Sequence, residues 1–379
     1  MMYPWQKNVR KVDPYVPGEQ PKTLDVTKLN TNENPYPPAP GVAEALKTMD
    51  ADLFRRYPDP DASILVDALA KTYHVKKEQV FVGVGSDDVI AMSFMTFFNS
   101  DQPVLFPDVT YAFYKVWAEM LQIPYETPAL DENFRIRAED YKKPNGGIIF
   151  PNPNAPTSIY EPLSFVEDIV KANPDSVVIV DEAYIDFGGT SALSLIDKYD
   201  NLLVVQTYSK SRSMAGMRIG FCIGNEALIA ALNAVKNSYN SYTMSEAALT
   251  LGAAALADEA YFKETTGKIV RTREEAKKRL TELDFTFLPP MANFIFASHK
   301  TVAAKELFEA LRAEGIFVRY FDKPRINNYL RITIGTPEQM EKLYTFRRNT
   351  SADAGKSRFV RRCLCLFGDR GRVFLPLSR

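Results

Sequence analysis

The spacing of hydrophobic positions changes along the chain, and the changes divide it. Up to about residue 40 no period survives, because Pro14, Pro17, Pro21, Pro35, Pro37, Pro38 and Pro40 interrupt a stretch rich in Asn and Lys; this predicts an irregular arm. From Ala62 to Tyr73, Leu65, Ala68, Leu69 and Thr72 share a helical face, Val80 to Val84 is a short apolar run ending in Gly-Ser, and Val89 to Phe98 is helical again. Three later runs, Gly147 to Phe150, Val177 to Val180 and Leu202 to Gln206, are short, aliphatic or β-branched, and each meets a polar cluster at once. That is the pattern of strands buried on both faces with functional loops at their carboxyl ends. Their spacing of roughly 25 to 30 residues suits right-handed crossover units. Residues 41 to about 255 therefore predict a largely parallel sheet covered by helices.

Asp258 to Leu283 then reads as one long helix, with Phe262, Ile269, Ala276, Leu280 and Leu283 on one face. Strand-like Phe285 to Leu288 and Asn293 to Ala297 follow, then a helix from Thr301 to Glu314 stopped by Gly315, then strand-like Ile316 to Tyr320 and Tyr329 to Ile334. Thr336-Pro337-Glu338-Gln339 has the form of a capping box with Pro at the first helical position. The expected organisation is an arm (1–28), a large α/β domain (29–255), a small α+β domain (256–346) and a tail (347–379).

Charge sets the tail apart. Residues 347–379 hold eight Arg and Lys356 against Asp353 and Asp369, a local +7 that leaves −8 on the body, in a chain whose total is −1. Without a general basic excess, and with nothing aromatic interleaved in a binding pattern, nucleic-acid binding is not expected. The tail has no helical or strand period; it reads as a non-homologous end, disordered and without function. Two histidines, His74 and His299, give almost no material for zinc sites or histidine relays. Three cysteines, Cys222, Cys363 and Cys365, form no disulfide framework for 379 residues. With no signal-peptide core and no apolar span, the expectation is a soluble cytoplasmic protein with neither membrane nor metal partner.

Chemistry has to come from Lys, Asp, Tyr, Arg or a cofactor. In VVIVDEAYID (177–186), a strand runs straight into Asp181, with Tyr184 three residues on. A buried acid there is costly without a cation, and a helix cap is the commoner use of such an Asp. One crossover later, LVVQTYSKSRSMAGMRIG (203–220) places Lys210 after a strand, between Ser209 and Ser211, with Arg218 eight residues on. A lone loop lysine is ordinarily solvated surface. An amine for a Schiff base, with hydroxyls and a guanidinium for a phosphate, is however what an anionic carbonyl cofactor requires. Together the segments point to pyridoxal phosphate, with Asp181 keeping its pyridine nitrogen protonated. Gly83-Val84-Gly85-Ser86-Asp87 ends a strand and opens a helix, so that backbone N–H groups of Ser86 and Asp87 would face phosphate oxygens. Alone it is ordinary turn chemistry, and Asp87 also complements the helix dipole.

Further segments recur in a fixed order: YVPG (15–18), LNTNENPYP (29–37), RYPDP (56–60), VGVGSDD (82–88), PDVTYAFY (107–114), PNPNAPTS (151–158), VDEAYIDF (180–187), TYSKSRSMAGMRIG (207–220) and YLRITIGT (329–336). On these, from about Trp5 to Phe346, the chain resembles a fold-type I pyridoxal-phosphate aminotransferase, and within that group the histidinol-phosphate aminotransferase family. The resemblance implies that Lys210 binds the cofactor and moves the substrate proton, that Asp181 pairs with the pyridine nitrogen, that Tyr184 bonds the ring hydroxyl and that Tyr111 stacks on the ring. It further implies that Gly85, Ser86, Asp87, Thr207, Ser209 and Arg218 surround the phosphate. Tyr57 would reach that phosphate in a neighbouring subunit of a homodimer. Arg331 and Arg319 would grip the anionic end of the substrate, with Tyr15 and Asn32 nearby; for Arg319, pairing with Asp322 is the ordinary alternative.

The implied reaction carries an amino group from L-histidinol phosphate to 2-oxoglutarate. Aromatic amino-acid aminotransferases and threonine-phosphate decarboxylases resemble the same motifs and stay open as alternatives. A DNA-binding regulator lacks its N-terminal module, and a dehydrogenase lacks its glycine fingerprint. One departure stands inside the motifs: the family's NPNNPTG reads Asn152-Pro153-Asn154-Ala155-Pro156-Thr157-Ser158 here. The Asn that bonds the ring hydroxyl is thus Ala155, and either Asn154 substitutes or Tyr184 makes that contact alone.

Overall fold

The computed structural model describes residues 3–23 and 25–346; the basic tail, 347–379, lies outside them. After the arm, the chain runs β1 (Thr27–Lys28), α1 (Pro40–Thr48), α2 (Ser63–Tyr73), β2 (Val80–Gly83), α3 (Ser86–Phe97), β3 (Val104–Leu105), α4 (Phe113–Leu121) and β4 (Tyr125–Glu126). Next come β5 (Gly147–Pro151), α5 (Leu163–Ala172), β6 (Val178–Asp181), β7 (Leu202–Thr207), β8 (Gly220–Gly224), α6 (Glu226–Tyr239) and α7 (Glu246–Leu256). The last part is α8 (Glu259–Glu282), β9 (Phe285–Phe287), β10 (Phe294–His299), α9 (Ala304–Ala313), β11 (Ile316–Phe317), β12 (Arg319–Tyr320), β13 (Leu330–Thr333) and α10 (Pro337–Tyr344).

Seven strands form the main sheet in the order β2-β8-β7-β6-β5-β3-β4. All pair in parallel except β8, which is antiparallel to both β2 and β7. The apolar runs alternate between two cores, as a strand buried on both faces requires. Ile148, Phe150, Val178, Val180, Leu202 and Val204 face one, and Ile149, Ile179, Leu203 and Val205 the other. A four-stranded antiparallel sheet, β12-β13-β10-β9, builds the smaller unit with α8, α9 and α10. The start of the chain joins it: β1 pairs in parallel with β11, Leu29 N donates to Phe317 O, and Thr333 N donates to Leu29 O.

Local differences from the sequence pattern have local causes. The helix expected from Thr301 begins at Ala304, because the ring Nδ1 of His299 accepts from the backbone of Thr301 and Val302 and holds them in a turn. The run Ile316 to Tyr320 splits into β11 and β12, which have different partners, β1 and β13. The capping box on α10 forms, with Thr336 N to Gln339 Oε1 at 2.9 Å and Gln339 N to Thr336 Oγ1 at 3.3 Å, worth about 1 kcal/mol. No helix among the described residues is long and apolar enough to cross a membrane.

Candidate active site

The carboxyl ends of β6 and β7 lie side by side, with Asp181 in register with Val205. Asp181 is only 4% exposed. Its Oδ2 accepts from Tyr114 Oη at 2.6 Å and its Oδ1 from Ala183 N at 3.2 Å. Burial pushes its pKa up to about 6, and these two bonds hold it from going higher. Beyond β7, Lys210 points its Nζ to Thr31 O at 3.0 Å and stands 5.8 Å over the ring of Tyr184. That ring packs edge-on against Phe294, 5.0 Å away, and its hydroxyl accepts from Asn32 Nδ2 at 3.0 Å.

Three adjacent strands converge on the next group. Gly220 is in register with Gly83 on one side and Thr207 on the other. A Cβ on Gly220 would lie 2.2 Å from Ser86 N, so only glycine lets the start of α3 come this close. Gly85, at φ +85°, leaves room for the Arg218 guanidinium, whose Nη2 would be 2.4 Å from an added Cβ. The opening N–H groups of a helix have no acceptor within it and favour an anion. Arg218 Nη2 donates to Asp87 Oδ2 at 3.0 Å, and Nη1 lies 3.5 Å from Ser209 Oγ. The other Asp87 oxygen takes the Tyr111 hydroxyl at 2.7 Å; burial, then this carboxylate, pushes the Tyr111 pKa well up. Thr207 Oγ1 accepts from Ser209 N at 3.2 Å.

A second cationic centre is built differently. Arg331 on β13 and Arg319 on β12 are direct cross-strand partners, two like charges that repel. Arg331 donates through Nη2 to Asn30 O at 2.9 Å and lies between the rings of Phe294 and Phe321, at 5.4 and 5.6 Å. Its Nε is buried with no partner among the described residues, and no carboxylate of those residues pairs with it. Burial, reinforced by Arg319, lowers its pKa. Arg319 does not pair with Asp322; it donates to Pro17 O and Val16 O. Tyr15 joins the edge of the cluster, 6.3 Å from the Tyr111 ring and stacked on Phe113.

The model of the class I and II aminotransferases matches residues 24–346. The histidinol-phosphate aminotransferase of Acinetobacter baumannii (strain AYE) is 53% identical over 342 residues, 89% of this chain and 95% of that protein. The chain belongs to the histidinol-phosphate aminotransferase family. A second member, from Clostridium beijerinckii, is 52% identical over 339 residues, 89% of this chain and 95% of its own length. The fold is that of solved histidinol-phosphate aminotransferases. The structure from Clostridium acetobutylicum has a TM-score of 0.77 at 22% identity, covering 83% of this chain and 96% of that one. The structure from Sinorhizobium meliloti, in complex with pyridoxal-5'-phosphate, has 0.75 at 24%, covering 83% and 88%.

Within this family member, Lys210, Asp181, Tyr184, Tyr111, Asp87, Gly85, Ser86, Thr207, Ser209 and Arg218 converge, and Arg331, Arg319, Asn32 and Tyr15 gather beside them. Tyr57 is not brought to that cluster; it is 82% exposed and stacked on Tyr242 at 4.6 Å. Asn154 is spent on protein partners, one in its own loop and two in the segment that precedes Tyr111: Nδ2 donates to Thr157 Oγ1 and Val109 O, and Oδ1 accepts from Thr110. Ala155 packs in the core cluster that contains Tyr184. Tyr114, which holds Asp181, is missed by the sequence reading, although PDVTYAFY contains it three residues after Tyr111, one helical turn away. Among the described residues, no group of three or more His, Cys, Asp or Glu could hold a metal ion.

Proposed function

We propose that the protein is a pyridoxal-phosphate-dependent transaminase that carries the amino group of L-histidinol phosphate to 2-oxoglutarate, giving imidazole acetol phosphate and L-glutamate in histidine synthesis. The carrying observation is the placement of Lys210 and Asp181 at neighbouring strand ends, an amine and a buried acid within one site. The names of relatives about half identical over nearly the whole chain support the choice of substrate.

The residues present fit the cofactor. Gly85, having no side chain, lets the Arg218 guanidinium close on the start of α3, and with Ser209 these are donors suited to a phosphate. Bound pyridoxal phosphate supplies an electron sink for charge developing at the substrate's α-carbon. Asp181, buried and held by Tyr114 and the Ala183 backbone, offers a carboxylate to a protonated ring nitrogen, a pairing that low dielectric strengthens. Lys210 holds the cofactor through its amine and, once released, takes the proton from the α-carbon and returns it one position along. Tyr111, pinned by Asp87, covers one ring face, and Tyr184 gives its hydroxyl to the ring oxygen.

Arg331, with Arg319 and Tyr15, receives the substrate's anionic end. A phosphate in one half-reaction and a carboxylate in the other suit the same planar guanidinium. Tyr57, exposed on its own subunit, would reach the phosphate in a second copy, making the working unit a homodimer. Cys222, free and buried, is in keeping with the cytoplasm.

The test is a half-reaction without acceptor. Protein loaded with pyridoxal phosphate should lose its visible absorbance on L-histidinol phosphate and regain it on 2-oxoglutarate. Bleaching by L-phenylalanine alone, or carbon dioxide release from O-phospho-L-threonine, would overturn the assignment.

A further inference from the structure

Asn32 is 1% exposed and sits at φ +58°, in the left-handed region that asparagine tolerates better than most residues. Each of its polar groups is engaged. Its N–H donates to Thr333 Oγ1 at 3.0 Å, the same hydroxyl donates back to Asn32 Oδ1 at 2.9 Å, and Asn32 O accepts from Asn293 Nδ2 at 2.9 Å. What remains is Nδ2, which donates to the Tyr184 hydroxyl at 3.0 Å.

A phenol has one proton to give and lone pairs to receive. With Asn32 donating to it, the Tyr184 oxygen serves as acceptor on the protein side, and no acceptor among the described residues takes its proton. No second side-chain amide contributes, because Asn154 is committed to Val109, Thr157 and Thr110, and Ala155, packed in the same cluster as Tyr184, has no donor. We propose that Asn32 is a positioning residue that fixes the Tyr184 hydroxyl as a donor towards the ring oxygen of the bound cofactor. An oxygen that accepts one hydrogen bond becomes a better donor in the next.

The same geometry ties this donor to the substrate grip. Arg331 and Thr333 are two apart on β13 and so share a face, and they reach Asn30 and Asn32, also two apart. The Arg331 guanidinium and the Tyr184 hydroxyl are thereby held by the same two segments, β13 and residues 30–32.

The inference rests on the reading of the site as a pyridoxal-phosphate site, and its test keeps the two apart. Apoprotein is titrated by absorbance and fluorescence with pyridoxal phosphate and with 3-deoxypyridoxal phosphate, which lacks the ring hydroxyl. Asn32→Gly, which permits the positive φ and removes the amide, should weaken pyridoxal phosphate about fivefold and the deoxy analogue less than twofold, the worth of one hydrogen bond between uncharged groups. In a Tyr184→Phe background the selective loss should vanish. Thr333→Val, should Asn32→Gly fold poorly in circular-dichroism melts, should give a smaller loss of the same selectivity. Equal losses on both ligands, or none on either, would overturn the role of Asn32 while leaving the site reading intact. A parent protein that bound neither ligand would overturn both.

Discussion

Arg218 and Arg331 are both expected to meet anions, yet the chain keeps them in opposite states. Arg218 is partly open to solvent and already shares a 3.0 Å ion pair with Asp87, which in turn holds Tyr111. Arg331 is half-buried with its Nε sealed from solvent, lies over two aromatic rings, faces another arginine across the sheet, and has no carboxylate partner among the described residues. A paired and hydrated cation costs the fold little and suits a resident group that arrives once. A half-buried cation with no carboxylate partner costs the fold more, and makes sense where the anion must come and go. On the proposed reading of the site, the contrast teaches that a resident cofactor and an exchanging substrate call for different cations.

The largest expected effect separates the two. Arg331→Met should lower kcat/KM about 100- to 1000-fold, the loss of two charge-assisted bonds, while pyridoxal phosphate affinity stays at the parent value. The same variant should melt slightly higher as apoprotein, since replacing a half-buried charge that has no carboxylate partner by an apolar chain relieves desolvation. If Arg331→Met lost the cofactor instead, the contrast would be broken.

Asp181 sharpens it from the other sign, as a buried acid without a salt bridge. Its pKa is raised from 3.8 to about 6, so the folded state binds the proton more tightly than the unfolded chain. Stability from this group is fully present below the unfolded value and is lost as pH rises through the folded one, by about 3 kcal/mol across that window. Glu182, buried and raised from 4.5 to about 7, tilts the same way. Urea midpoints of the apoprotein should therefore fall between pH 4 and 7, and Asp181→Asn should flatten much of that slope while crippling turnover.

Arg218→Met comes next. Pyridoxal phosphate affinity should fall about 10- to 100-fold, one charge-assisted contact's worth, with much less change in KM for the amino donor in protein saturated with cofactor. The smallest effect is expected at Gly85→Ala. The backbone there, at φ +85° and ψ 164°, belongs to glycine; we expect a loss of about 1 to 2 kcal/mol in stability and a few-fold in cofactor affinity, read by melting and titration.

Much of the site is legible in the sequence where chemistry follows an apolar run. Val177 to Val180 marks a buried strand, and an acid directly after it has to be either solvated or functional; Lys210 after β7 stands out in the same way. The strand Gly220–Gly224 is not legible, because its glycines and the preceding Arg-Ile-Gly look like loop chemistry, and only its insertion between β2 and β7 makes it a strand. Pairings across distance are equally hidden. Nothing local joins Tyr114 to Asp181, or sets Arg319 opposite Arg331, since sheet register and helix packing decide both. The Asn32 contact with Tyr184 spans 152 residues and depends on a left-handed backbone that the pattern of side chains does not announce.

The threading of residues 27–32 against β11 and β13 also places the site in time. Asn32 waits for Thr333, 301 residues downstream. At a synthesis rate of about 5 to 20 residues per second, that partner is made roughly 15 to 60 seconds later. The main sheet can collapse on the ribosome while Lys210, whose amine rests on Thr31, still lacks its neighbour's final position. Between the completion of α7 and the arrival of β13 a nascent chain can therefore hold a folded body and an unfinished catalyst, and the early segment finds its partners only when the last of the described strands has emerged.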